Sequence, residues 1–265
     1  MKSIHDLFDL RSKVAVITGG AMGIGKAITM RLAGAGAKVL IADLDIDAAK
    51  KTVDEIRKLK GEAEAFQTDT SKAQSAEKVI EKTLSLFGDI HIMVNNAGIY
   101  RYLPAVQMTE EMWDLTLNIN LKGVMFFAKA AANAMIAKKH GGKIINIASI
   151  DGFKPSGNLT HYDASKGGVV MLTKALAKEL GPMGIHVNAI APGGINTPGT
   201  AKMAEASGMT QEQMAAIFKE FVKNIPLQRM GEPDDIGKVA LFLASEAADY
   251  MTGHVVVVDG GALVA

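Results

Sequence analysis

The sequence of 265 residues contains no cysteine. Disulfides, thiolate nucleophiles and cysteine-ligated zinc are therefore all excluded. Long apolar runs are missing too, since Lys129 and Asn133 interrupt the best candidate, Val124 to Ala137, and a membrane span needs about 20 apolar residues. The first residues, MKSIHDLFDLRSK, lack the apolar core of a signal peptide. These absences predict a soluble, cytoplasmic protein with no membrane partner.

An excess of charge of either sign is also missing. Lys and Arg number 29 and Asp and Glu 28, which leaves a net charge of +1 at pH 7. No basic block and no interleaving of aromatic and basic residues is visible, so the sequence argues against a nucleic acid partner. The length suits one α/β domain or two small ones.

A glycine-rich turn follows the first apolar segment. Val14 to Ile17 reads as a strand, Thr18 to Gly25 reads TGGAMGIG, and a helical pattern comes next. Strand, turn and helix form the first half of a dinucleotide-binding unit. We expect Gly19 to allow the tight turn, Gly23 to admit a pyrophosphate and Gly25 to allow close packing. The spacing differs from the common G-x-G-x-x-G, and a purely structural turn remains an alternative.

An acidic residue ends the next predicted strand. Lys38 to Ala42 is apolar and is followed by Asp43. A carboxylate there could accept both hydrogen bonds from the ribose diol of an adenosine. It would also repel a 2′-phosphate, which favours NAD over NADP. The alternative role is the N-cap of the next helix, which Asp45 could fill instead.

Two further predicted strands end in polar or small residues. Asp69 and Thr70 follow the strand Ala63 to Phe66, and Asp69 could either bond an adenine amino group or cap the next helix. The strand His91 to Val94 runs into Asn95 to Gly98, which reads NNAG. These residues would hold the end of that strand close to a cofactor.

A Tyr and a Lys four residues apart follow the fifth predicted strand. The strand Lys143 to Ala148 ends at Ser149, and Tyr162 and Lys166 open a segment with helical spacing. The two side chains should share one face of the first helical turns. A phenol has a pKa of about 10, and a neighbouring cation should lower it. An ordinary surface pair is the alternative.

Strands and helices alternate along the whole chain without repeats or linkers. The sixth strand, Gly184 to Ile190, leads to Pro192 and Gly193, and the seventh is His254 to Val258. The pattern predicts an α/β fold over residues 1–265, a single domain built on one doubly wound parallel sheet of about seven strands. Helices should cover both faces of this Rossmann fold, and ligands should bind at the carboxyl ends of the strands.

With these motifs in register, the sequence resembles the short-chain dehydrogenase/reductase family over essentially its whole length. The resemblance rests on the TGxxxGxG turn, NNAG, the Ser, Tyr and Lys just named, and a PG turn followed by Ile195 and Thr197. It implies a catalytic tetrad without a metal. The tetrad residues are Asn120, Ser149, Tyr162 and Lys166.

The resemblance also implies a role for each member of that tetrad. Tyr162 exchanges a proton with the substrate oxygen while hydride passes to or from a nicotinamide. Lys166 holds the nicotinamide ribose and lowers the pKa of Tyr162. Ser149 hydrogen-bonds the substrate oxygen, and Asn120 holds a water that links Lys166 to solvent.

The cofactor-binding residues are expected on the same motifs. They are Gly19, Met22, Gly23, Ile24, Gly25, Asp43, Asp69, Thr70, Asn96, Ala97, Gly98, Tyr162, Lys166, Pro192, Gly193, Ile195 and Thr197. A Met-rich stretch at about 195–225 suits a substrate lid, with Tyr100, Ile150, Asp151 and His161 as candidate pocket residues. The resemblance further implies a homotetramer built through the long helices and the C-terminal strand.

The leading functional hypothesis is an NAD-dependent oxidoreductase that interconverts a secondary alcohol and a ketone. The alternative enzyme is an NADPH-dependent reductase of 3-oxoacyl thioesters such as 3-oxoacyl-ACP. Asp43 argues against that alternative, as does Met22, which stands where a basic residue often contacts the 2′-phosphate. A non-catalytic dinucleotide-binding protein is the third hypothesis, and the complete tetrad disfavours it.

Overall fold

The computed structural model describes residues 1–199 and 220–265, so most of the predicted lid lies outside the described residues. Seven parallel strands form one sheet. They are Val14–Thr18 (β1), Lys38–Asp43 (β2), Ala63–Gln67 (β3), Ile92–Asn95 (β4), Gly142–Ile147 (β5), Ile185–Pro192 (β6) and Val255–Val258 (β7). All seven predicted strands are confirmed, with small shifts at their ends.

Helices connect these strands. Within the described ranges the α-helices are Ile4–Leu7 (α1), Gly23–Gly34 (α2), Ile46–Lys58 (α3), Gln74–Phe87 (α4), Glu110–Leu117 (α5), Val124–Lys138 (α6), Thr160–Leu180 (α7) and Pro233–Ala244 (α8). Helix α8 was not predicted from the sequence, although Pro233 at its first position and buried Ile236, Ala240 and Leu243 at helical spacing are signals for it. None of the described helices has the length and apolar character needed to cross a bilayer.

The strand order is β3-β2-β1-β4-β5-β6-β7, with every neighbouring pair parallel. Successive residues of β1 face opposite sides, so Ile17 packs with Ile28 of α2 and Ile236 of α8, whereas Val16 packs with Phe127 of α6. The predicted α/β fold with helices on both faces is therefore confirmed. After β3 the chain crosses to the far side of β1, which creates a crevice between β1 and β4.

The long helical region predicted from Thr109 to Lys139 is continuous but is not α-helical throughout. Residues Asn118–Gly123 form a π-helical turn between α5 and α6. This turn carries Asn120 into the interior, where it is fully buried. Gly123 is required there because a β-carbon would lie 2.7 Å from the Thr70 carbonyl oxygen. Such π-turns are frequent at functional sites.

Candidate active site

The glycine-rich turn after β1 closes tightly on itself. Gly19 has a left-handed φ of +63°, and its N–H donates to the Ala42 carbonyl at 2.8 Å. A β-carbon at Gly25 would collide with the Gly19 carbonyl oxygen and with the Asn96 amide. Only glycine fits at position 25, which agrees with the close packing expected there.

Asn96 ties the end of β4 to the same turn across the crevice. Its Nδ2 donates to the carbonyls of Thr18 at 3.0 Å and Gly19 at 2.8 Å. The backbone N–H groups of Asn96 and Ala97 both donate to Thr18 Oγ1. The strand ends on either side of the switch point are therefore held in register, which keeps this crevice preformed.

The N-terminus of α2 opens onto this crevice without a side-chain cap. Gly23 is the first helical residue, and the N-cap residue Met22 makes no capping hydrogen bond within the described chain. The first backbone N–H groups of the helix, those of Gly23, Ile24 and Gly25, have no intrahelical partner. Uncapped N–H groups and the helix dipole suit a diphosphate. The loop after β6 reaches the turn, since Thr197 Cβ lies 3.5 Å from a β-carbon built at Gly23.

Asp43 ends β2 beside this turn and is not a helix cap. Its Oδ2 accepts from the Ala21 N–H at 2.9 Å and its Oδ1 from the Asp45 N–H at 3.0 Å. The N-cap of α3 is Asp45, whose side chain accepts from the Ala48 N–H. The N-cap alternative for Asp43 is thus wrong, and the carboxylate is fixed next to the glycine-rich turn.

Asp69 stabilises the turn that precedes α4. Its Oδ1 accepts from the N–H and the hydroxyl of Ser71, and these bonds lower the pKa of Asp69. The N-cap of α4 is Ala73, so Asp69 does not cap that helix. It lies at the carboxyl edge of the sheet together with Thr70, whose carbonyl oxygen faces Gly123 of the π-turn.

Asn120 holds the loop after NNAG in place. Its Oδ1 accepts from the Ile99 N–H at 2.9 Å, and its Nδ2 donates to the Ile99 carbonyl at 2.8 Å and to Ser165 Oγ at 3.2 Å. Gly98 lies between Asn120 and Lys166, since a β-carbon there would be 3.3 Å from Asn120 Oδ1 and 3.7 Å from Lys166 Nζ. The amide therefore bridges the β4 loop and α7, and its role in holding a water stays a prediction.

Ser149, Tyr162 and Lys166 meet where β5 ends. Ser149 lies two residues beyond the end of β5 and is almost fully buried. Tyr162 and Lys166 lie in the first two turns of α7, with Lys166 Nζ at 5.5 Å from the centre of the Tyr162 ring. Lys166 is only 4% exposed, and its ammonium donates to the Ile147 carbonyl at 2.7 Å. The predicted common helix face is confirmed.

Burial sets the pKa values of this pair. It raises the pKa of Tyr162 far above its usual value, although a hydrogen bond with Ser149 acts in the opposite direction. It lowers the pKa of Lys166 to about 8, partly offset by the negative charge of Asp151. In the chain alone burial therefore raises the pKa of Tyr162, against the predicted lowering, and a contribution of Lys166 to that pKa stays a prediction.

The loop after β6 completes the cofactor edge. Pro192 is the last residue of β6, and the Gly193 N–H donates to the Val258 carbonyl at 3.0 Å. A β-carbon at Gly193 would lie 2.7 Å from Asp259 Cβ. Ile195 forms an isolated bridge with Gly231. The structure therefore brings the predicted residues of six different strand ends to one edge of the sheet.

The four candidate pocket residues differ in position. The Tyr100 ring centre lies 5.6 Å from that of Tyr162, Ile150 is partly exposed, and Asp151 contacts Ser149. His161 is fully buried, and neither ring nitrogen has a partner among the described residues. His161 therefore does not face the open pocket in this structure.

Three groups that form hydrogen bonds with the site residues were not predicted from the sequence. They are Thr18 Oγ1, Ser165 Oγ and the Ile147 carbonyl. Thr18 and Ser165 stand inside the motifs TGG and ASK, which is a usable signal. A backbone carbonyl carries no such signal.

Comparison with known proteins finds relatives that match this chain over nearly its whole length. A family model described as enoyl-(acyl carrier protein) reductase matches residues 19–262. The 3-oxoacyl-[acyl-carrier-protein] reductase FabG of Thermotoga maritima is 39% identical, covering 96% of this chain and 99% of that protein. The 2-dehydro-3-deoxy-D-gluconate 5-dehydrogenase of Dickeya dadantii is 36% identical, covering 97% and 98%.

A solved structure is similarly close. It comes from Beutenbergia cavernae and is described as an NAD(P)-dependent gluconate 5-dehydrogenase with NADP bound at low occupancy. It superimposes with a TM-score of 0.89 at 38% identity, covering 98% of this chain and 100% of that one. The relatives therefore share the fold over their full length but differ in the compounds that their names give.

Proposed function

Because the chain belongs to the short-chain dehydrogenase/reductase family, a family of oxidoreductases that act on CH–OH groups, we propose that it interconverts a secondary alcohol and a ketone with NAD. The observation that carries this proposal is the meeting of Ser149, Tyr162 and Lys166 at the sheet edge onto which the uncapped N-terminus of α2 opens. A nicotinamide bound there would accept or supply the hydride.

Tyr162 is proposed as the group that moves the proton. Its raised pKa keeps the phenol protonated at neutral pH, which suits donation to a ketone oxygen during reduction. Alcohol oxidation needs the phenolate instead, so its rate should rise with pH. Ser149 is proposed to bond the same substrate oxygen because its side chain lies close enough to Tyr162 to act on the pKa of that phenol.

Lys166 is proposed to hold the nicotinamide ribose. With a pKa lowered to about 8 by burial, it is mainly charged at pH 7. An ammonium has three N–H donors, and Lys166 uses one of them on the Ile147 carbonyl. The others are available for ribose hydroxyls, and Asn120 supports this arrangement by anchoring Ile99 and Ser165.

NAD is proposed over NADP because of Asp43. Its carboxylate is fixed by two backbone N–H groups beside the glycine-rich turn, where a 2′-phosphate would meet a negative charge. Met22 at the N-cap of α2 offers no compensating cation and is 41% exposed. We extend the proposal to the whole chain as one NAD(P)-binding domain, with a substrate lid at about 195–225.

A homotetramer is proposed on the distribution of apolar surface. Large apolar side chains remain exposed on helices and on the edge strand β7. Examples are Leu115 at 38%, Ile136 at 39%, Met171 at 62% and Val257 at 39%. Oligomer interfaces would cover such residues. Light scattering at micromolar concentration tests this, and a stable monomer would contradict it.

The similarity to the Thermotoga protein supports one second candidate, an NADPH-dependent reductase of 3-oxoacyl thioesters. A panel of alcohols, ketones and 3-oxoacyl thioesters should be screened with NAD(H) and NADP(H) by nicotinamide absorbance. We expect turnover of a secondary alcohol or its ketone with NAD(H), abolished in Tyr162→Phe. Turnover confined to thioesters with NADPH would favour the second candidate, and cofactor binding without any turnover would contradict both.

A further inference from the structure

Asp151 stands beside Ser149, the serine proposed to bond the substrate oxygen. It lies in the short 3₁₀ turn Ile150–Gly152 that follows β5. Its N–H donates to Ser149 Oγ, and Ser149 Oγ donates to Asp151 Oδ2, both at 3.1 Å. Asp151 Oδ1 accepts from the Ser156 hydroxyl. Two serines therefore fix the carboxylate, and its side chain stays partly exposed.

The charge of the Asp151 carboxylate acts on the ionisable side chains around the proposed substrate position. Burial raises the pKa of Tyr100 to about 12, and the charge of Asp151 adds to that effect. The charge of Asp151 also raises the pKa values of Tyr102, Tyr162 and Lys166. Burial has a larger effect than Asp151 on each of these three pKa values. The two hydrogen bonds between Asp151 and Ser149 place the carboxylate next to the end of β5, where Ser149 and Tyr162 meet.

We propose that Asp151 determines substrate specificity by accepting a hydrogen bond from a hydroxyl close to the reacting carbon, so that the site selects polyhydroxy compounds. This inference rests on the proposed alcohol–ketone chemistry.

The geometry fits a neighbouring hydroxyl because Ser149 lies between the two positions. Ser149 is proposed to bond the reacting oxygen, and it is 3.1 Å from Asp151 Oδ2. A hydroxyl one or two carbons away from the reacting oxygen spans a similar distance. An ionised carboxylate offers about four acceptor sites, and the two serines use two of them. The remaining lone pairs are available to a substrate.

The same carboxylate excludes two other groups at this position. An alkyl substituent would cover a charge without bonding it, which costs free energy. An anionic substituent would be repelled directly. Both effects act on the substituent next to the reacting carbon. They therefore discriminate between substrates that the rest of the site would reduce or oxidise equally well.

The test compares two alcohols of almost the same shape. In 3-methyl-2-butanol a methyl group replaces one hydroxyl of 2,3-butanediol. We expect the parent enzyme to show a kcat/KM for the diol at least about tenfold higher, which corresponds to roughly 1.4 kcal/mol. Asp151→Ala should bring the two values within about threefold. Asp151→Asn, which keeps an acceptor and similar shape, should retain part of the preference and controls for folding.

Ser156→Ala is the matched control, because it removes one support of Asp151 and leaves the charge and Ser149 untouched. Its preference for the diol should stay. A parent that prefers the methyl compound, or a folded Asp151→Ala with an unchanged ratio, would overturn the inference alone. A parent at least tenfold faster on 3-amino-2-butanol than on the diol would also overturn it. Absence of turnover on every alcohol and ketone, with NADH still bound, would overturn the proposed function itself.

Discussion

At the amino edge of the sheet, Asp89, His91 and His140 form a cluster whose polar atoms bond mainly to one another and to the backbone. The two imidazole rings stack with centres 4.7 Å apart. His140 contacts Asp89 at 2.9 Å through Nε2 and the Gly141 carbonyl at 2.8 Å through Nδ1. At the carboxyl edge, α2 is uncapped within the described chain and the Lys166 ammonium has one carbonyl partner.

We interpret this difference as marking the polar groups that are left for a ligand. The amino-edge cluster has the composition of a metal site, but the Val14 N–H donates to His91 Nδ1. A neutral His91 therefore carries its proton on Nε2, the atom that would have to bind the metal. Residue composition alone would make both edges of the sheet candidate ligand-binding sites. The buried Lys166 ammonium, with one carbonyl partner for its three N–H donors among the described residues, distinguishes the carboxyl edge.

The largest expected effect comes from Tyr162→Phe. Removing the hydroxyl leaves a ring that still packs, so folding and NADH binding should persist. Turnover should fall by a hundredfold or more, which is typical for the loss of a positioned acid–base group. Steady-state kinetics on the best substrate measure this. Tyr100→Phe, on the neighbouring ring, is the control and should change turnover by a few-fold at most.

A folded Tyr162→Phe variant with near-parental turnover would refute the assignment of Tyr162 as the proton-transfer group. In the parent, alcohol oxidation should increase with pH because burial raises the pKa of the phenol and oxidation needs its ionised form. A rate that falls between pH 7 and 9.5 would contradict this direction.

The second prediction concerns the stability cost of the buried ammonium. The Lys166 pKa falls from 10.5 to about 8, so the folded state binds fewer protons than the unfolded state between these values. Below pH 8, burial of the charged ammonium therefore lowers the free energy of unfolding by its full amount. This penalty decreases as the pH rises from 8 towards 10.5. Allowing for the lost bond to Ile147, Lys166→Met should stabilise the fold by about 2 kcal/mol at pH 7.

Chemical denaturation at pH 7 and pH 9.5 measures this difference, which should shrink at the higher pH. Lys174→Met, at an exposed position on the same helix, should change stability little at either pH. A Lys166→Met protein that is less stable than the parent at both pH values would show that the ammonium stabilises the fold. Its activity should be lost in any case.

The edge of the sheet that carries the site could be predicted because glycine spacing and strand ends are local features. Gly19 and Asp43 lie at the predicted edge, since each comes within two residues of the end of an apolar run. The π-turn at Asn120 was not anticipated, because one extra residue per turn barely alters a helical pattern over a short segment. The pKa of Tyr162 was predicted in the wrong direction, since spacing reveals a neighbouring Lys but not the burial that raises the pKa of the phenol.

The third prediction concerns the preference for NAD over NADP at the carboxyl edge. The parent should prefer NAD over NADP at least about tenfold in kcat/KM, or roughly 1.4 kcal/mol, because a 2′-phosphate would meet the Asp43 carboxylate. Asp43→Asn removes the charge and keeps one acceptor for a backbone N–H, so the preference should shrink. Asp45→Ala removes the N-cap of α3 and should lower stability by about 1 kcal/mol without altering the preference. Equal kcat/KM for the two cofactors in the parent would refute the role of Asp43.

The smallest effect is expected at the amino edge. His140→Ala removes one hydrogen bond to Asp89, which also accepts from the Ile90 N–H at 2.8 Å. The pKa of Asp89 is lowered by these bonds against the opposing effect of burial. Losing the imidazole should therefore destabilise the fold by about 1 kcal/mol, measured by denaturation at pH 7. The kcat/KM should stay within twofold, and EDTA should leave activity unchanged in both proteins. If EDTA abolished activity and zinc restored it in the parent but not in His140→Ala, the amino edge would be a working metal site, and the distinction drawn between the two edges would fail.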